Sequence, residues 1–383
     1  MIPQEKSAAV TLGLNETFGV TEFEDIRDLT ERPGSNRAFR IIVRGSACLL
    51  RINTRPGDMT RHFTCMQAAA DAGLAPRVRY ASTEDRISIT DFVEAVPLAA
   101  PDALVRIPAA LRTLHALAPF PRAPFNTTCT FLLNKGPALD GFLQKFRASS
   151  ILPENETEEL LARYQQVAAV YSRLDSDLAP GHNDLFKPDN MLFDGNRLWL
   201  VDWEAAFQND RYADLAVVAN MIVTNESEER IYLQEYFGEA PDEYQRARFY
   251  LIRQLAHMFY AMALLTLVSP VKPIDRSEPV PAYSDFQRRF WAREVNLADD
   301  QAKTVYGKVH WEQLSQNVRQ ARFDEALRIV SDRKHNPGRY SYTLAGCSIK
   351  GELAKQRIVN QPLRRLLKTH SLCPGFPKRY VEK

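Results

Sequence analysis

The sequence predicts an α+β fold with two lobes, a strand-rich N-terminal lobe and a mainly helical C-terminal lobe. The first 95 residues have mainly the patterns of strands, whereas apolar residues recur at helical spacing from about Asp102 to Arg333. One short strand–turn–strand pattern at 191–201 interrupts the helical part. We therefore expect an N-terminal lobe over 1–95, a C-terminal lobe over 96–335 and a tail over 336–383.

The N-terminal lobe begins with a turn-rich loop over 32–37 and a predicted hairpin. Apolar residues dominate 38–43 and 47–52, and the pair Arg44-Gly45 between them is a turn signal. The two segments are long enough for strands and are separated by only a few residues. Antiparallel pairing of these two strands is therefore expected.

A helix and a further strand follow in the same lobe. The pattern predicts a helix over 61–72, ended by Gly73, because glycine is the residue that most easily ends a helix. Apolar and polar residues then alternate over 86–94, which predicts a strand that stops before Pro97.

The C-terminal lobe is predicted to be built from helices on both sides of the hairpin at 191–201. Asp214 lies in the first turn of one of them, where an acidic residue serves as a cap. The first helix is expected to end at His115. The others are expected to cover 142–147, 156–174, the segment from about 209, 226–237, 242–267 and about 311–333.

The segment from His182 to Glu204 contains the residue types that phosphoryl transfer needs. Asp184 can accept the proton of a hydroxyl, and Asn190 and Asp202 offer oxygen ligands suited to Mg²⁺. Between these two ligands lies the pattern apolar strand, turn, apolar strand. A hairpin would bring the last ligand back beside the first. The alternative is an acidic loop in front of an ordinary hairpin.

The composition is that of a globular protein large enough for two cores. The chain has 383 residues, of which 45% are hydrophobic and 25% are charged. No apolar run of membrane-spanning length and no secretory signal is visible, so we expect a cytoplasmic protein without a membrane span. The five cysteines are scattered and lack metal-ligand spacing, which favours reduced thiols.

The net charge of +2 is unevenly distributed. Residues 286–383 carry 20 Lys and Arg against 9 Asp and Glu, so the first 285 residues are net acidic. An acidic body attracts a cationic substrate over long distances. We expect the basic end to lie against this body. A membrane surface, a protein partner or a nucleic acid is the alternative, and no aromatic–basic motif supports a nucleic acid.

The segment from His182 to Glu204 resembles the catalytic core of the aminoglycoside phosphotransferase and choline kinase superfamily, the small-molecule relatives of protein kinases. The family pattern is His-x-Asp, an Asn shortly afterwards, and an apolar strand that ends in Asp. The Asn of His-Asn-Asp and Glu204 are more similar to the choline and ethanolamine kinase branch. The resemblance implies a bilobal protein-kinase-like fold and an ATP-dependent kinase for a small alcohol, with choline or ethanolamine favoured.

The resemblance assigns roles to five residues of this segment. It implies that Asp184 accepts the proton of the substrate hydroxyl and that His182 braces the loop by hydrogen bonding. Lys187, within the loop, would neutralise the γ-phosphate, with a solvated surface lysine as the alternative. Asn190 and Asp202 would hold the Mg²⁺ that accompanies ATP.

The catalytic loop is one residue longer than in most relatives. Asn190 follows Asp184 by six residues instead of five, so Asp189 is an alternative ligand. In the family, the residue at Asp214 braces this loop. The loop is longer, and the helix over 61–72 carries no carboxylate in its middle. These two features leave open a second interpretation, a kinase-shaped nucleotide-binding protein without catalysis.

The resemblance also implies a nucleotide site in the N-terminal lobe. The loop over 32–37 would cover the phosphates with backbone N–H groups. Arg51 lies where protein kinases keep a lysine, and its planar fork can bind a phosphate through two bonds. The strand over 86–94 would lead into a hinge that binds adenine. The implied nucleotide-binding residues are Arg51, Ser35, Asn36, Asp91, Phe92 and Val93. Protein kinases pair the strand cation with a glutamate on the next helix, which is missing here, so the partner of Arg51 is undetermined.

A cationic acceptor needs a pocket of aromatic faces and carboxylates. The implied substrate contacts are Trp203, Glu204 and Tyr212, and Tyr250 and Glu229 are further candidates. The paired tryptophans of the family are not visible late in the C-terminal lobe. An aminoglycoside, a sugar, homoserine or thiamine is therefore the alternative acceptor. The sequence leaves the oligomeric state undetermined.

Overall fold

The computed structural model describes residues 2–30, 36–54, 57–122, 137–171, 177–268 and 279–335. The described helices are α1 (Ser7–Phe18), α2 (Met59–Asp71), α3 (Ala100–His115), α4 (Pro137–Ala148), α5 (Glu154–Val170), α6 (Arg211–Ile222), α7 (Glu226–Phe237), α8 (Glu243–Val268), α9 (Tyr283–Trp291), α10 (Asp300–Asn317) and α11 (Ala321–His335). The described strands are β1 (Asp25–Asp28), β2 (Arg37–Val43), β3 (Ser46–Ile52), β4 (Val78–Ser82), β5 (Ile87–Asp91), β6 (Leu178–Gly181), β7 (Met191–Phe193), β8 (Leu198–Leu200) and β9 (Phe207–Asp210). Ser35 and the tail over 336–383 lie outside the described residues, so their predictions stay predictions.

The first five strands form one antiparallel sheet in the order β1-β2-β3-β5-β4. The hairpin between β2 and β3 turns at Arg44 and Gly45, as the sequence predicts. Both residues have positive φ, 50° and 70°, which is the backbone that two-residue hairpins with the right-handed strand twist require. The predicted division into a strand-rich part followed by helices is confirmed.

The two faces of this sheet have different roles. Phe39, Leu50 and Ile89 point to one face and are fully buried, and α1 covers them with Val10 and Leu14. This helix was not expected in a lobe that reads mainly as strands. Because side chains alternate along a strand, the neighbours of the buried β3 residues project from the opposite face of the sheet.

The helix α2 begins and ends close to its predicted limits. The carboxylate of Asp58 accepts the N–H of Arg61 at 3.0 Å and caps the first turn. Gly73 follows the last turn with a φ of +71°, a conformation that a side chain would strain. The helix then leads into β4 and β5.

The long helix α8 organises the C-terminal lobe. It packs against α6, α10 and α11. Among the described helices, α8 alone has the length and apolar composition of a membrane span. Its most apolar window is 61% buried inside the protein, which is the environment of a core helix.

The predicted helix over 311–333 is two helices, α10 and α11, with a break at Val318–Gln320. No glycine or proline marks this break in the sequence. The hydroxyl of Tyr250 donates to the carbonyl of Asn317 at 3.1 Å, and the amide of Asn317 donates to Gln254 at 2.8 Å. These bonds from α8 fix the end of α10, so the cause is tertiary.

Candidate active site

The predicted hairpin is present and places the two proposed metal ligands side by side. Strands β7 and β8 pair from Met191 opposite Leu200. The carboxylate of Asp194 closes the turn by accepting the N–H groups of Asn196 and Arg197, at 2.8 and 2.7 Å. Beyond β8, the N–H of Val201 donates to the carbonyl of Asn190 at 3.0 Å. The residue that follows, Asp202, is therefore brought back to Asn190.

Asp214 holds the backbone of the catalytic loop from behind. Its buried carboxylate accepts the N–H groups of His182 and Asn183, each at 2.8 Å, and lies 3.4 Å from Nε2 of His115. Burial opposes the charge of Asp214, but the hydrogen bond and charge of His115 and the N–H of His182 outweigh it and lower its pKa. The carboxylate is thus an ionised anchor for the loop.

The ring of His182 links the two halves of the site. Its Nε2 lies 2.9 Å from the carbonyl oxygen of Val201, so this nitrogen carries the proton that is donated. The ring is fully buried and packs on the indole of Trp203, with centroids 4.7 Å apart. These contacts suit a bracing role and leave the histidine no path to a substrate proton.

Asn190 contacts Asp184 directly. Its Nδ2 donates to the carbonyl of Asp184 at 2.6 Å and to its carboxylate oxygen Oδ2 at 3.2 Å. The extra loop residue, Asp189, is largely exposed and pairs with Arg293 at 2.7 Å, and the same arginine donates to the carbonyl of Pro188. The geometry therefore favours Asn190 over Asp189 as the inward-facing ligand.

The two carboxylates of the site have opposite pKa shifts. Burial raises the pKa of Asp184, and the positive charge of Lys187 opposes part of that rise. Burial acts on Asp202 too, but the ion pair with Arg51 and the charges of Lys187 and His182 outweigh it and lower its pKa. One carboxylate is thereby suited to take up a proton and the other to stay ionised.

Arg51 finds its partner in the C-terminal lobe. It projects from the face of β3 that turns away from α1, and its Nη1 lies 3.1 Å from Oδ1 of Asp202. Asn36 makes a second contact of the same kind, because its Nδ2 donates to a carboxylate oxygen of Glu204. The side chains of the implied nucleotide lobe therefore reach the segment that contains the proposed metal ligand.

The predicted hinge is only partly free to bind a base. The N–H of Asp91 donates to Arg77 at 3.0 Å, and that of Phe92 donates to Ala47 at 3.2 Å. Both N–H groups are thus engaged within the N-terminal lobe, and adenine binding by the backbone of this segment stays a prediction.

The structure also corrects two of the implied substrate contacts. Trp203 is 1% exposed and donates to the carbonyl of Leu200 at 3.0 Å, so it is not at the mouth of the site. Tyr212 is 3% exposed and lies 5.4 Å from the guanidinium of Arg248, in the core behind the loop. Glu204 is the implied contact that keeps partial exposure.

The two further candidates for a cationic pocket lie elsewhere, Tyr250 on α8 and Glu229 on α7. Tyr250 and Glu229 line a separate polar cavity with Arg322, whose guanidinium covers the tyrosine ring at 4.4 Å. Tyr260, ten residues further along the same helix, stacks on Phe186 of the catalytic loop at 4.6 Å. At 1.5 Å per helical residue, the cavity is roughly 15 Å away from that contact.

Sequence reasoning missed two arginines that hold the site and two rings beside it. Arg293 donates to the backbone carbonyl of Pro188. Arg61 donates to the backbone carbonyls at 204 and 206. Phe186, two residues after Asp184, and Tyr260, which stacks on it, are half-buried. The sequence around these four residues gives no signal of their contacts, because each contact joins residues that are far apart in the chain.

Comparison with known proteins concerns the family and the fold. The family model of the APH phosphotransferase enzyme family matches residues 28–250. A choline/ethanolamine kinase family protein of Mesorhizobium loti has the same fold, with a TM-score of 0.60, 19% identity, and coverage of 87% of this chain and 100% of that one. Choline kinase of Cryptosporidium parvum gives a TM-score of 0.55 at 11% identity, covering 82% and 93%.

Curated relatives match over shorter stretches. A protein described as a LicA homolog from Mycoplasma capricolum is 27% identical over 122 residues, which is 27% of this chain. The chain thus spans about half of that relative, 51% of its length. The family model covers more than half of this chain and includes β2, β3 and the whole catalytic segment. The chain therefore belongs to the APH phosphotransferase enzyme family.

Proposed function

We propose that this kinase transfers the γ-phosphate of ATP to the hydroxyl of a small cationic alcohol, with choline or ethanolamine favoured. The observation that carries the proposal is the convergence of Asp184, Asn190 and Asp202. The first two are in hydrogen-bond contact, and the third follows a backbone bond to Asn190. Positioning and charge neutralisation do most of the work in phosphoryl transfer, and these residues supply both.

The donor set fits Mg²⁺. The Nδ2 of Asn190 is used by Asp184, so the amide oxygen Oδ1 is the atom that is left for a cation. Asp202 adds an ionised carboxylate, and Mg²⁺ prefers such oxygens together with substrate phosphates. When bound, the ion would neutralise charge on the phosphate oxygens. Arg51, which pairs with Asp202, would also contact the phosphates.

Asp184 would orient the acceptor hydroxyl and take its proton. Its raised pKa makes it a better base than an ordinary aspartate once ionised. Its contact with Asn190 fixes the direction of the carboxylate, and Lys187 stands on the exposed side of the loop, where its charge acts on Asp184 and Asp202. The lysine is thus placed to offset the phosphate charge.

Three features support a cationic acceptor. The first 285 residues are net acidic. The rings of Phe186, in the catalytic loop, and Tyr260 are half-buried and stack on each other, and aromatic rings beside a site suit an ammonium group. The folds compared above include choline and choline/ethanolamine kinases.

A panel of acceptors tests this function. ATP-dependent release of ADP is measured with choline, ethanolamine, an aminoglycoside, a ketosamine sugar, homoserine and thiamine. Mass spectrometry identifies the phosphorylated product. We expect the highest kcat/KM with choline or ethanolamine. A product from a neutral acceptor alone would contradict the cationic class and leave the kinase assignment in place.

The pH dependence of activity should reflect Asp184. We expect kcat/KM to fall as the pH is lowered through the pKa of Asp184, and because burial raises this pKa, the fall begins above the pH expected for an ordinary aspartate. Asp202, with its lowered pKa, stays ionised over this range. In Lys187→Met the opposing positive charge is gone, so the acidic limb moves to higher pH. A limb that stays in place in this variant would contradict the assignment.

Substitution of Arg51 should weaken the binding of the nucleotide and leave the binding of the acceptor almost unchanged. Arg51→Met removes a charged donor from the phosphate side of the cleft, and a hydrogen bond to a charged group contributes about 1.5–3 kcal/mol. We expect KM for ATP to rise roughly 10- to 100-fold, with little change in KM for the acceptor. Steady-state kinetics with each substrate varied in turn measures this. Arg27→Met on the exposed edge strand β1 is the matched control, and an equal effect there would refute a specific role.

A further inference from the structure

We propose that Arg61 is a positioning residue for phosphoryl transfer, which fixes the metal-binding segment after β8 to the helix α2. This inference rests on the proposed role of Asp202 as a metal ligand. It assigns to one buried side chain the connection between that helix and the catalytic segment. No sequence motif marks Arg61, and its role follows from its contacts alone.

Arg61 is 7% exposed and lies on the first turn of α2. Its Nη2 donates to the carbonyl of Glu204 at 3.0 Å, and its Nη1 donates to the carbonyl of Ala206. Cys65, one turn further along the helix, brings its thiol to 3.7 Å from the same Ala206 carbonyl. One helix face therefore holds two carbonyls of the short turn that follows Asp202.

The segment held by Arg61 needs external support. Asp202 has a φ of 70° and a ψ of 63°, a left-handed backbone that costs a residue other than glycine about 1 kcal/mol or more. The next three residues, Trp203–Ala205, form a single 3₁₀ turn, which is too short to fix its own position. Two bonds from a planar guanidinium define the orientation of that turn, and hence the direction of the Asp202 carboxylate.

Arg61 also explains how α2 is linked to the catalytic segment without a carboxylate. Arg51, the strand cation, pairs directly with Asp202. The helix instead reaches the same segment through the backbone, two residues after Asp202. A shift of α2 relative to the C-terminal lobe would therefore be transmitted to the metal ligand.

The test compares Arg61→Met and Arg61→Lys with Arg106→Met. Arg106 is an exposed arginine that donates to the carbonyl of Asn196 at 3.1 Å, at the far end of the same hairpin, so it serves as the control for loss of an arginine–carbonyl bond. Each variant is characterised by kcat, by the Mg²⁺ concentration for half-maximal activity and by the thermal midpoint. Calorimetry measures the Mg²⁺-dependent gain in affinity for ADP, which is a readout that needs no acceptor.

We expect Arg61→Met to lower kcat roughly 100-fold, the loss that a displacement of about 1 Å in a reacting group produces. The Mg²⁺ requirement should rise and the Mg²⁺-dependent gain in ADP affinity should shrink, because the orientation of Asp202 is lost. Arg61→Lys keeps the charge and one donor and should lie between Arg61→Met and the wild type. Arg106→Met should match the wild type.

Two outcomes would overturn the proposal. In the first, Arg61→Met or Arg61→Lys lowers the thermal midpoint while the folded protein keeps wild-type kcat and Mg²⁺ dependence, which shows a purely structural role. In the second, Mg²⁺ increases the affinity of Arg61→Lys for ADP as much as it does for the wild type. This second test can be made even if Arg61→Met does not fold. Failure of the acceptor assignment is distinguishable, because the wild type would then bind Mg²⁺ with ADP normally and phosphorylate none of the panel.

Discussion

Asp184→Asn is expected to reduce kcat by about 10²- to 10⁴-fold, the range for loss of a general base, with KM values for ATP and acceptor close to those of the wild type. The carboxylate is held by Asn190 at 3.2 Å and is raised in pKa by its burial. An amide of the same size keeps the packing and cannot accept the proton. Single-turnover transfer from labelled ATP to the best acceptor separates this chemical step from product release.

Asp189→Asn is the matched control, because it makes the same substitution five residues further along the same loop. Asp189 is largely exposed and paired with Arg293. An exposed pair contributes about 0–1 kcal/mol, so its loss should leave kcat within a factor of a few. If Asp189→Asn abolished activity and Asp184→Asn did not, the longer loop would have exchanged the roles of the two carboxylates.

The catalytic segment could be predicted because its signals are local. Asp194 and Gly195 determine the turn within the hairpin, and this turn decides that the residue after β8 returns to Asn190. The β2–β3 turn at Arg44 is equally local. In each case, a few neighbouring residues specify the backbone, and the residues that matter are then placed by the chain itself.

The rest of the site depends on contacts between distant residues, which no local pattern contains. Arg51 pairs with a residue 151 positions away, and Arg61 reaches carbonyls 143 and 145 positions away. Trp203 has an indole that suits a substrate cage, yet it is turned inward onto His182. The spacing of apolar residues predicts which side chains are buried. Whether an aromatic side chain lies in the core or in the cleft depends on the elements that pack around it.

The last expectation concerns Asp214, which touches neither of the proposed substrates. Asp214→Asn should lower kcat by about 10- to 100-fold and the free energy of unfolding by about 2–4 kcal/mol, since bonds to a charged acceptor contribute about 1.5–3 kcal/mol each. The carboxylate accepts two N–H groups of the loop at 2.8 Å. An asparagine has only one oxygen for them and would turn its NH₂ group towards the other N–H.

The control for Asp214 is Asp299→Asn, because Asp299 also accepts two backbone N–H groups, at 3.2 and 3.3 Å, on the exposed first turn of α10. Asparagine serves as an N-cap about as well as aspartate, so stability should change by less than about 0.5 kcal/mol. Chemical denaturation and steady-state kinetics on both variants measure the difference. Because the loop carries His182 and leads directly to Asp184, stability and kcat should fall together in Asp214→Asn. A loss of stability with an unchanged kcat would mean that the catalytic loop keeps its geometry without this anchor.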